Sequence, residues 1–248
     1  MGFYQGDPLK LVEDCQLLKP DFFPSVPRLF NRIYGKLKSR FDEATGCKKW
    51  LVDQGLASKT HHYENGGFVG HKFWDSLVFG KASALLGGRV KQMVTGSAPI
   101  DAAVLSFLKI CFSCPISEGY GLTETAGGNF ITQLADNTCG HVGGPIESVA
   151  CRLKDLPEME YLSTDKPYPR GEVCLRGPAI FPGYFMREDK TSEAFEGEWF
   201  KTGDVAAILP NGSIKIIDRS KNIFKLSQGE YIAPEKIENI FVLSPFVA

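Results

Sequence analysis

Residues 89–124, RVKQMVTGSAPIDAAVLSFLKICFSCPISEGYGLTE, decide the fold class of this chain. The stretch begins with an apolar strand at 89–94 and continues into a tight turn at Gly96-Ser97-Ala98-Pro99. Asp101 can cap a short helix after the turn, because an aspartate at the N-cap accepts free N–H groups of the first helical turn. A second short strand at 115–120 leads into another glycine turn. This alternation of strands, glycine turns and a helix predicts an α/β layered fold.

The regions on either side of this stretch differ in the secondary structure that their sequences predict. On the N-terminal side we expect a proline-initiated helix at 26–41, a polar, glycine-rich surface excursion at 42–70 and an amphipathic helix that ends at Gly87-Gly88. On the C-terminal side, helical periodicity disappears from Gly143, and short strands alternate with Gly and Pro. The clearest turn there is a hairpin at Pro210-Asn211-Gly212.

These patterns predict three parts. Residues 1–142 form part of a large α/β domain, residues 143–217 form a β-rich subdomain, and residues 218–248 contain a polar joint and the truncated start of a further domain. Both ends of the sequence are expected to be cut within folded structure, because neither carries a terminating signal.

Composition excludes several classes of protein. The 248 residues are 43% hydrophobic and 23% charged, with a formal net charge of −1, so nothing favours a nucleic-acid partner. The seven cysteines form no dense disulfide scaffold and favour a reducing, intracellular compartment. No apolar run reaches the roughly 18 residues of a membrane span, and the first residues do not resemble a signal peptide.

Four short motifs follow one another in the sequence, and each alone has an ordinary reading as a turn, a helix start or a surface ion pair. Their order is informative: Gly96-Ser97-Ala98-Pro99, Gly119-Tyr120-Gly121-Leu122-Thr123-Glu124, Thr202-Gly203-Asp204, and Asp218-Arg219-Ser220-Lys221. In this order they resemble the acyl-adenylate-forming superfamily. Longer stretches at 23–32, 171–178, 198–204 and 224–231 narrow the resemblance to eukaryotic long-chain fatty acyl-CoA synthetases.

The resemblance covers nearly the whole chain, with 42–70 least characteristic, and it implies both a fold and a reaction. The expected fold is a layered α/β core with a β-barrel subdomain, followed by the start of a small α+β C-terminal domain that swings about a hinge. The expected activity is a ligase reaction that uses ATP, Mg²⁺ and coenzyme A to activate a long-chain fatty acid. Peripheral membrane contact of the full-length parent, at the cytosolic face of the endoplasmic reticulum or another organelle, is part of the same expectation.

The resemblance also assigns roles to residues around the base and phosphates. It implies that Gly96-Ser97-Ala98-Pro99 line the adenine and that Tyr120 stacks on it, with Glu118, Gly119 and Gly121 in the same nucleotide-binding set. Thr123 and Glu124 are the implied catalytic residues. The Thr123 hydroxyl would hydrogen-bond the α-phosphate, and the Glu124 carboxylate would hold Mg²⁺, which prefers oxygen ligands.

Further roles are implied for the C-terminal third of the chain. Asp204 would accept hydrogen bonds from both ribose hydroxyls, and Arg219 would donate another. Asp218 matches the hinge of the family, and Lys225 matches a lysine that reaches toward the adenylate.

Other patterns carry weaker expectations. Cys111 and Cys114 have metal-ligand spacing, but no second pair follows, so two buried thiols are favoured. A basic stripe on the first long helix would face anionic lipid or, as favoured here, solvent: Arg28, Arg32, Lys36 and Arg40.

Two elements of the family pattern are missing. No Ser/Thr/Gly-rich loop ending in lysine precedes Gly96, and the C-terminal lysine that assists adenylation would lie beyond Ala248. The isolated chain is therefore expected to be inactive. Two alternatives remain open at this point: another adenylate-forming CoA ligase acting on an aryl or shorter acid, and a non-catalytic nucleotide-binding fragment.

Overall fold

The structure is a computed structural model that describes residues 2–226, 228 and 231–241. The chain divides into two compact units, each continuous except for one exchanged segment. The first unit contains residues 1–117 and 133–139, and the second contains 118–132 and 140–248.

The first unit is mainly helical. Its helices are α1 (Leu11–Leu18), α2 (Pro27–Asp42), α3 (Gly46–Glu64), α4 (Lys72–Trp74), α5 (Gly80–Ala84) and α6 (Ala102–Phe112), with a π-helical turn at Asp75–Phe79 between α4 and α5. The expected helix at 26–41 is confirmed as α2, which begins at a proline. Asp101 caps α6 as predicted, since its carboxylate accepts the N–H groups of Ala103 and Val104.

Strands β1 (Phe22–Ser25) and β2 (Gln92–Thr95) pair in parallel in this unit. The N–H of Met93 donates to the carbonyl of Pro115, directly before β3 (Ile116–Leu122). Helices α2 and α6 supply much of the buried core, including Phe30, Ile33, Leu105 and Leu108. The apolar faces of these helices therefore form one core with β2.

The prediction of a glycine-rich surface excursion at 42–70 is wrong, because most of this segment folds as the 19-residue helix α3. The buried residues of α3 are Gly55, Lys59 and Tyr63, which recur every four residues. Only one of these three is a large apolar residue, so the inward face carries almost no hydrophobic signal. The helical period is present, but it is carried by a glycine, a lysine and a tyrosine instead of the aliphatic residues that usually mark a buried helix face.

The buried lysine of α3 is satisfied by several acceptors. Lys59 is 1% exposed, and its ammonium group lies 2.5 Å from Asp75 Oδ1, 2.6 Å from Ser113 Oγ and 2.7 Å from the carbonyl of Ile110. Burial lowers the pKa of Lys59, and the Asp75 carboxylate opposes this effect. The ion pair thus joins α3, the π-helical turn and the C-terminal end of α6.

The prediction that the two thiols of Cys111 and Cys114 are buried is confirmed. Cys111 and Cys114 are 0% and 2% exposed. Burial raises the pKa of Cys114 to about 12 and that of Cys111 still further. Both thiols therefore remain protonated and unreactive at neutral pH.

The second unit is rich in antiparallel strands. Its elements are the remainder of β3, β4 (Gly127–Ile131), β5 (Gly144–Pro145), β6 (Ala150–Lys154), β7 (Arg170–Arg176), α7 (Glu188–Ala194), β8 (Phe195–Glu196), β9 (Trp199–Ile208), β10 (Ile214–Arg219), β11 (Phe224–Lys225), β12 (Tyr231–Ile232) and α8 (Pro234–Phe241). Strand β4 pairs antiparallel with β3 and β5. A separate sheet has the order β10-β9-β7-β6.

Several sequence-based expectations for this unit are confirmed. Strands β9 and β10 form the predicted hairpin, and Gly212 has the left-handed φ of 81° that the turn requires. Helix α8 begins at Pro234, as expected for a new element after the polar joint. The core of the unit is built from Phe130, Val173, Leu175 and Ala206 with their neighbours. Among the described residues, no helix combines the length and apolarity needed to cross a bilayer.

Candidate functional site

A hydrogen-bonded group of three side chains lies in the second unit. The hydroxyl of Tyr120 on β3 donates to Oδ2 of Asp204 on β9 at 2.6 Å. The Nε of Arg219, on β10, lies 3.5 Å from Oδ1 of the same carboxylate. Tyr120 and Asp204 are 84 residues apart in the sequence, so the fold brings together two motifs that the sequence left separate.

A β-bulge aims Asp204 into this group. The register between β7 and β9 shifts so that residues 202–204 bulge out opposite Val173. Gly203 has a φ of 73°, which only glycine adopts easily, and its N–H donates to Glu172. The hydroxyl of Thr202 donates to the carbonyl of Val173, which holds the bulge against β7. The ordinary turn that was the alternative reading of this motif is therefore a bulge inside a long strand.

Asp204 is a buried carboxylate with little solvent contact. It is 5% exposed, whereas Arg219 is half exposed. Burial raises the pKa of Asp204, while the hydrogen bond from Tyr120 and the charge of Arg219 oppose the rise. The carboxylate still has free lone pairs beyond these two contacts, so it can accept hydrogen bonds from the two hydroxyls of a sugar.

Tyr120 combines a buried hydroxyl with a stacked ring. Its ring is stacked on Phe130 of β4, with centroids 5.4 Å apart and an interplanar angle of 25°. Burial and the neighbouring carboxylate both raise the pKa of the Tyr120 phenol, which keeps it a hydrogen-bond donor. One face of the ring is covered by Phe130, so a planar ligand could stack only on the opposite face.

Thr123 and Glu124 lie on a short 3₁₀ turn at Thr123–Thr125, directly after β3. The turn is fixed by the buried hydroxyl of Thr125, which accepts the N–H of Leu122 and the side-chain amide of Asn129. Thr123 is exposed and Glu124 is half-buried. Both catalytic candidates therefore project from a rigid turn.

Gly121 allows this turn to approach the neighbouring strand. A Cβ at Gly121 would lie 1.7 Å from the carbonyl oxygen of Gly127, a separation that no side chain permits. The glycine in the GYGLTE motif thus has a packing reason, because β3 and β4 touch through their backbones here.

Glu118 and Gly119 belong to the same strand. Glu118 is 6% exposed, and its Oε1 accepts the N–H of Gly140 at 2.9 Å. Gly119 pairs with Ile131. In this structure Glu118 holds the backbone of a loop, which is a scaffold contact for the strand that carries Tyr120.

Asp218 lies at the end of β10 and is 1% exposed. Its Oδ1 accepts the N–H of Arg219 at 2.6 Å and the side-chain amide of Asn222 at 3.4 Å. It therefore closes the turn that follows β10, at the position where the sequence predicts a hinge.

Two of the predicted nucleotide-binding elements are not part of the hydrogen-bonded group around Asp204. Gly96-Ser97-Ala98-Pro99 belongs to the first unit, where Ser97 adopts a left-handed φ of 72° and residues 97–99 are exposed between β2 and α6. The backbone of Lys225 lies in β11. Its side chain, and with it the predicted reach toward an adenylate, lies outside the described part of the chain.

The site contains oxygen donors that suit magnesium. Within the part of the chain that the structure describes, no cluster of three or more His, Cys, Asp or Glu side chains is placed to hold a metal ion. Mg²⁺ is usually bound by one or two carboxylates together with water and substrate phosphates. The single carboxylate of Glu124 beside the Thr123 hydroxyl fits that mode of binding.

Sequence reasoning missed three residues that shape the site: Thr125, Asn129 and Tyr184. The hydroxyl of Tyr184 donates to Oε1 of Glu124 at 3.0 Å, across 60 positions of sequence. The Thr-Glu-Thr spacing of the turn was a usable signal for Thr125, since a threonine there can cap the turn. Nothing in the sequence pattern connects Tyr184 with Glu124.

Comparison with known proteins identifies the family of the chain. The sequence model of the family described as "AMP-binding enzyme" matches residues 1–185. Peroxisomal long chain acyl-CoA synthetase 7 of Arabidopsis thaliana is 49% identical over 249 residues, covering 100% of this chain and 35% of the relative. Long-chain-fatty-acid-CoA ligase 1 of Homo sapiens is 46% identical, again over 100% of this chain and 35% of the relative.

A solved structure confirms the fold. The A domain of carboxylic acid reductase from Segniliparus rugosus, in complex with AMP and a co-purified carboxylic acid, superposes with a TM-score of 0.72 and 29% identity. The match covers 98% of this chain and 34% of that one. The predicted α/β adenylate-forming fold and the resemblance to long-chain acyl-CoA synthetases are therefore confirmed, although the chain spans only about a third of the length of these relatives. The chain belongs to the family of AMP-binding enzymes.

Proposed function

We propose that this chain is the nucleotide-binding part of a ligase that activates long-chain fatty acids with ATP and passes them to coenzyme A. The observation that carries the proposal is the buried Asp204 carboxylate, held by Tyr120 and Arg219. Buried carboxylates are costly to maintain, and functional sites are where such groups occur. The similarity to long-chain acyl-CoA synthetases along the whole chain supplies the substrate class.

In the proposed mechanism, the chain first orients the nucleotide. Asp204 accepts hydrogen bonds from the ribose hydroxyls, Arg219 adds a donor, and the face of Tyr120 opposite Phe130 stacks on the base. These contacts bind the substrate and the transition state equally well. They place the α-phosphate relative to Thr123 without changing the reactivity of the phosphate.

The chemical step joins two anions. A carboxylate oxygen of the fatty acid attacks the α-phosphorus, the bond to the β-phosphate oxygen breaks, and pyrophosphate leaves with its electron pair. The Thr123 hydroxyl donates to an α-phosphate oxygen as negative charge builds up. Glu124 would hold Mg²⁺, which neutralises phosphate charge when bound.

The second step transfers the acyl group. The sulfur of coenzyme A attacks the acyl carbon, AMP leaves, and the thiol proton passes to solvent. Asp218 lies at the proposed hinge, where a change of backbone conformation would exchange the adenylation arrangement for the thioester-forming one.

Acid specificity is tested by trapping the activated acid. We would build a chimera in which residues 1–248 replace the aligned segment of the Arabidopsis synthetase, and measure hydroxamate formation with palmitate and with benzoate. Preferential trapping of palmitate is expected. Trapping of benzoate alone would favour the aryl-ligase alternative, and calorimetry with AMP and ATP on the chain itself would separate a binding fragment from an inert one.

The proposal also includes a cellular location for the full-length protein. A long-chain fatty acid partitions into membranes, so the full-length protein would work at the cytosolic face of an organelle membrane. The relative from Arabidopsis is named as peroxisomal, which supports an organelle setting. Fractionation of cells that express the tagged full-length protein would test it, and recovery in the cytosol alone would contradict it.

A further inference from the structure

Glu124 is contacted at two points by residues 181–184 of the same unit. The N–H of Phe181 donates to the backbone carbonyl of Glu124 at 2.8 Å. The hydroxyl of Tyr184 donates to Oε1 of the Glu124 side chain at 3.0 Å. One contact fixes the backbone of the 3₁₀ turn, and the other selects one orientation of the carboxylate.

Tyr184 is itself held in place from two directions. Its N–H donates to Oγ1 of Thr191 on α7 at 2.9 Å, and the Thr191 hydroxyl donates to the carbonyl of Arg187 at 2.9 Å. Its ring packs edge-on against Phe181, with centroids 4.8 Å apart. The phenol is therefore presented to Glu124 by a folded element.

Phe181 connects this arrangement to the sheet. Its ring stacks on Phe195 at 5.8 Å and meets Phe200 edge-on at 5.4 Å. Phe200, on β9, is 2% exposed, so the anchor is part of the packed interior. Four aromatic rings thus support a single hydrogen bond at the surface of the turn.

The charge of Glu124 is left uncompensated by this arrangement. Among the side chains that the structure describes, which do not include those of Lys225 and Lys236, no Lys, Arg or His forms an ion pair with Glu124, and none donates a hydrogen bond to its Oε2. Tyr184 is neutral, so it orients the carboxylate without cancelling its charge. A carboxylate with one oxygen fixed and the other free is preorganised for a divalent cation.

We propose that Tyr184 is a positioning residue for the metal site, which orients Glu124 so that Oε2 faces the cation. The inference rests on the proposed function, because it takes Glu124 as the magnesium ligand. A purely structural role is disfavoured by exposure: Tyr184 is 39% exposed, and a hydrogen bond to solvent-accessible groups adds little to folding. Removal of the Tyr184 hydroxyl should therefore weaken metal binding and leave the stability of the fold unchanged.

The test is Mn²⁺ binding, with Mn²⁺ standing in for Mg²⁺. Purified 248-residue chain is saturated with AMP, which chelates Mn²⁺ far more weakly than ATP does, and is titrated with Mn²⁺ while free Mn²⁺ is measured by electron paramagnetic resonance. Tyr184→Phe removes only the hydroxyl, and it is expected to weaken Mn²⁺ binding about tenfold. Affinity for metal-free AMP and the melting temperature should stay unchanged. Tyr168→Phe is the matched control, because Tyr168 is also 39% exposed and should bind as the parent does.

Glu124→Gln separates failure of this inference from failure of the proposed function. If Glu124→Gln abolishes Mn²⁺ binding while Tyr184→Phe leaves it unchanged or tighter, the positioning role is overturned and the metal ligand stands. If the unmodified chain does not bind Mn²⁺, or if Glu124→Gln binds it as tightly as the parent, Glu124 is not the metal ligand. The positioning role of Tyr184 and the proposed role of Glu124 are then both overturned. Should Tyr184→Phe fold poorly, Thr191→Val removes the acceptor that holds Tyr184, and unchanged Mn²⁺ affinity in that variant would also refute the role.

Discussion

Replacement of Asp204 by asparagine should move stability and nucleotide affinity in opposite directions. Burial raises the pKa of Asp204 above its unfolded value. Such a group contributes stability below the unfolded pKa, and this contribution is lost as the pH rises through the folded pKa. At pH 7 the ionised carboxylate therefore costs folding free energy. The amide oxygen introduced by Asp204→Asn would still accept the hydrogen bond of Tyr120, so this variant is expected to be as stable as the parent or slightly more stable.

The effect on AMP binding follows from the loss of charge. Hydrogen bonds to a charged group contribute about 1.5–3 kcal/mol each, against about 0.5–1.5 kcal/mol for neutral ones. For two ribose hydroxyls the difference amounts to about 2–3 kcal/mol, which weakens AMP binding roughly 30- to 150-fold. The wild-type chain and Asp204→Asn would be compared by calorimetric titration with AMP and by urea unfolding at pH 7.

Asp189→Asn provides the control for this experiment. Asp189 pairs with Arg187 at the protein surface, with 57% of its side chain exposed, so its replacement should change neither quantity. The reasoning is refuted if Asp204→Asn loses more than about 2 kcal/mol of unfolding free energy and binds AMP normally. In that case the carboxylate would be a structural group.

The remaining predictions concern a buried ion pair in the first unit and a close contact between strands in the second. Lys59→Met should lower the free energy of unfolding by about 2–4 kcal/mol, because Asp75 would keep its charge beside an apolar side chain. Lys49→Met, at an exposed pair, is the control, and equal effects in urea unfolding would argue against a buried ion pair. Gly121→Ala should cost at least about 1–3 kcal/mol, because its Cβ would overlap a backbone carbonyl of β4. Gly128→Ala is its control, since a Cβ there meets nothing within 4 Å, and equal melting temperatures would show that β3 and β4 can separate without cost.

The sequence predicts local structure well where one residue type has one structural use. Asp101 before an apolar run could hardly be anything except a helix cap, and Gly212 after Pro210-Asn211 is required by the turn of a hairpin. These assignments depend on neighbouring residues only. They were correct because no tertiary contact competes with them.

Prediction failed where the fold reverses the usual burial of a residue type. Lys59 on α3 is buried because Asp75 and Ser113 satisfy it, and neither partner is near it in sequence. The same limit applies to the site. Motif order indicated Tyr120 and Asp204, but the hydrogen bond between them and the bulge that aims Asp204 depend on strand pairing, which local sequence does not encode.

The most direct test of the central claim is ATP–pyrophosphate exchange in the absence of coenzyme A. The measurement uses the purified 248-residue chain and the chimera in which this chain replaces the aligned segment of the Arabidopsis synthetase. We predict palmitate-dependent exchange in the chimera, its loss in the chimera with Glu124→Gln, and no exchange by the chain alone, because these 248 residues do not contain the phosphate loop and the assisting lysine of the family pattern. A folded chimera without exchange would contradict the assignment of adenylate chemistry to these residues, and exchange by the chain alone near the rate of the chimera would show that the missing elements are dispensable.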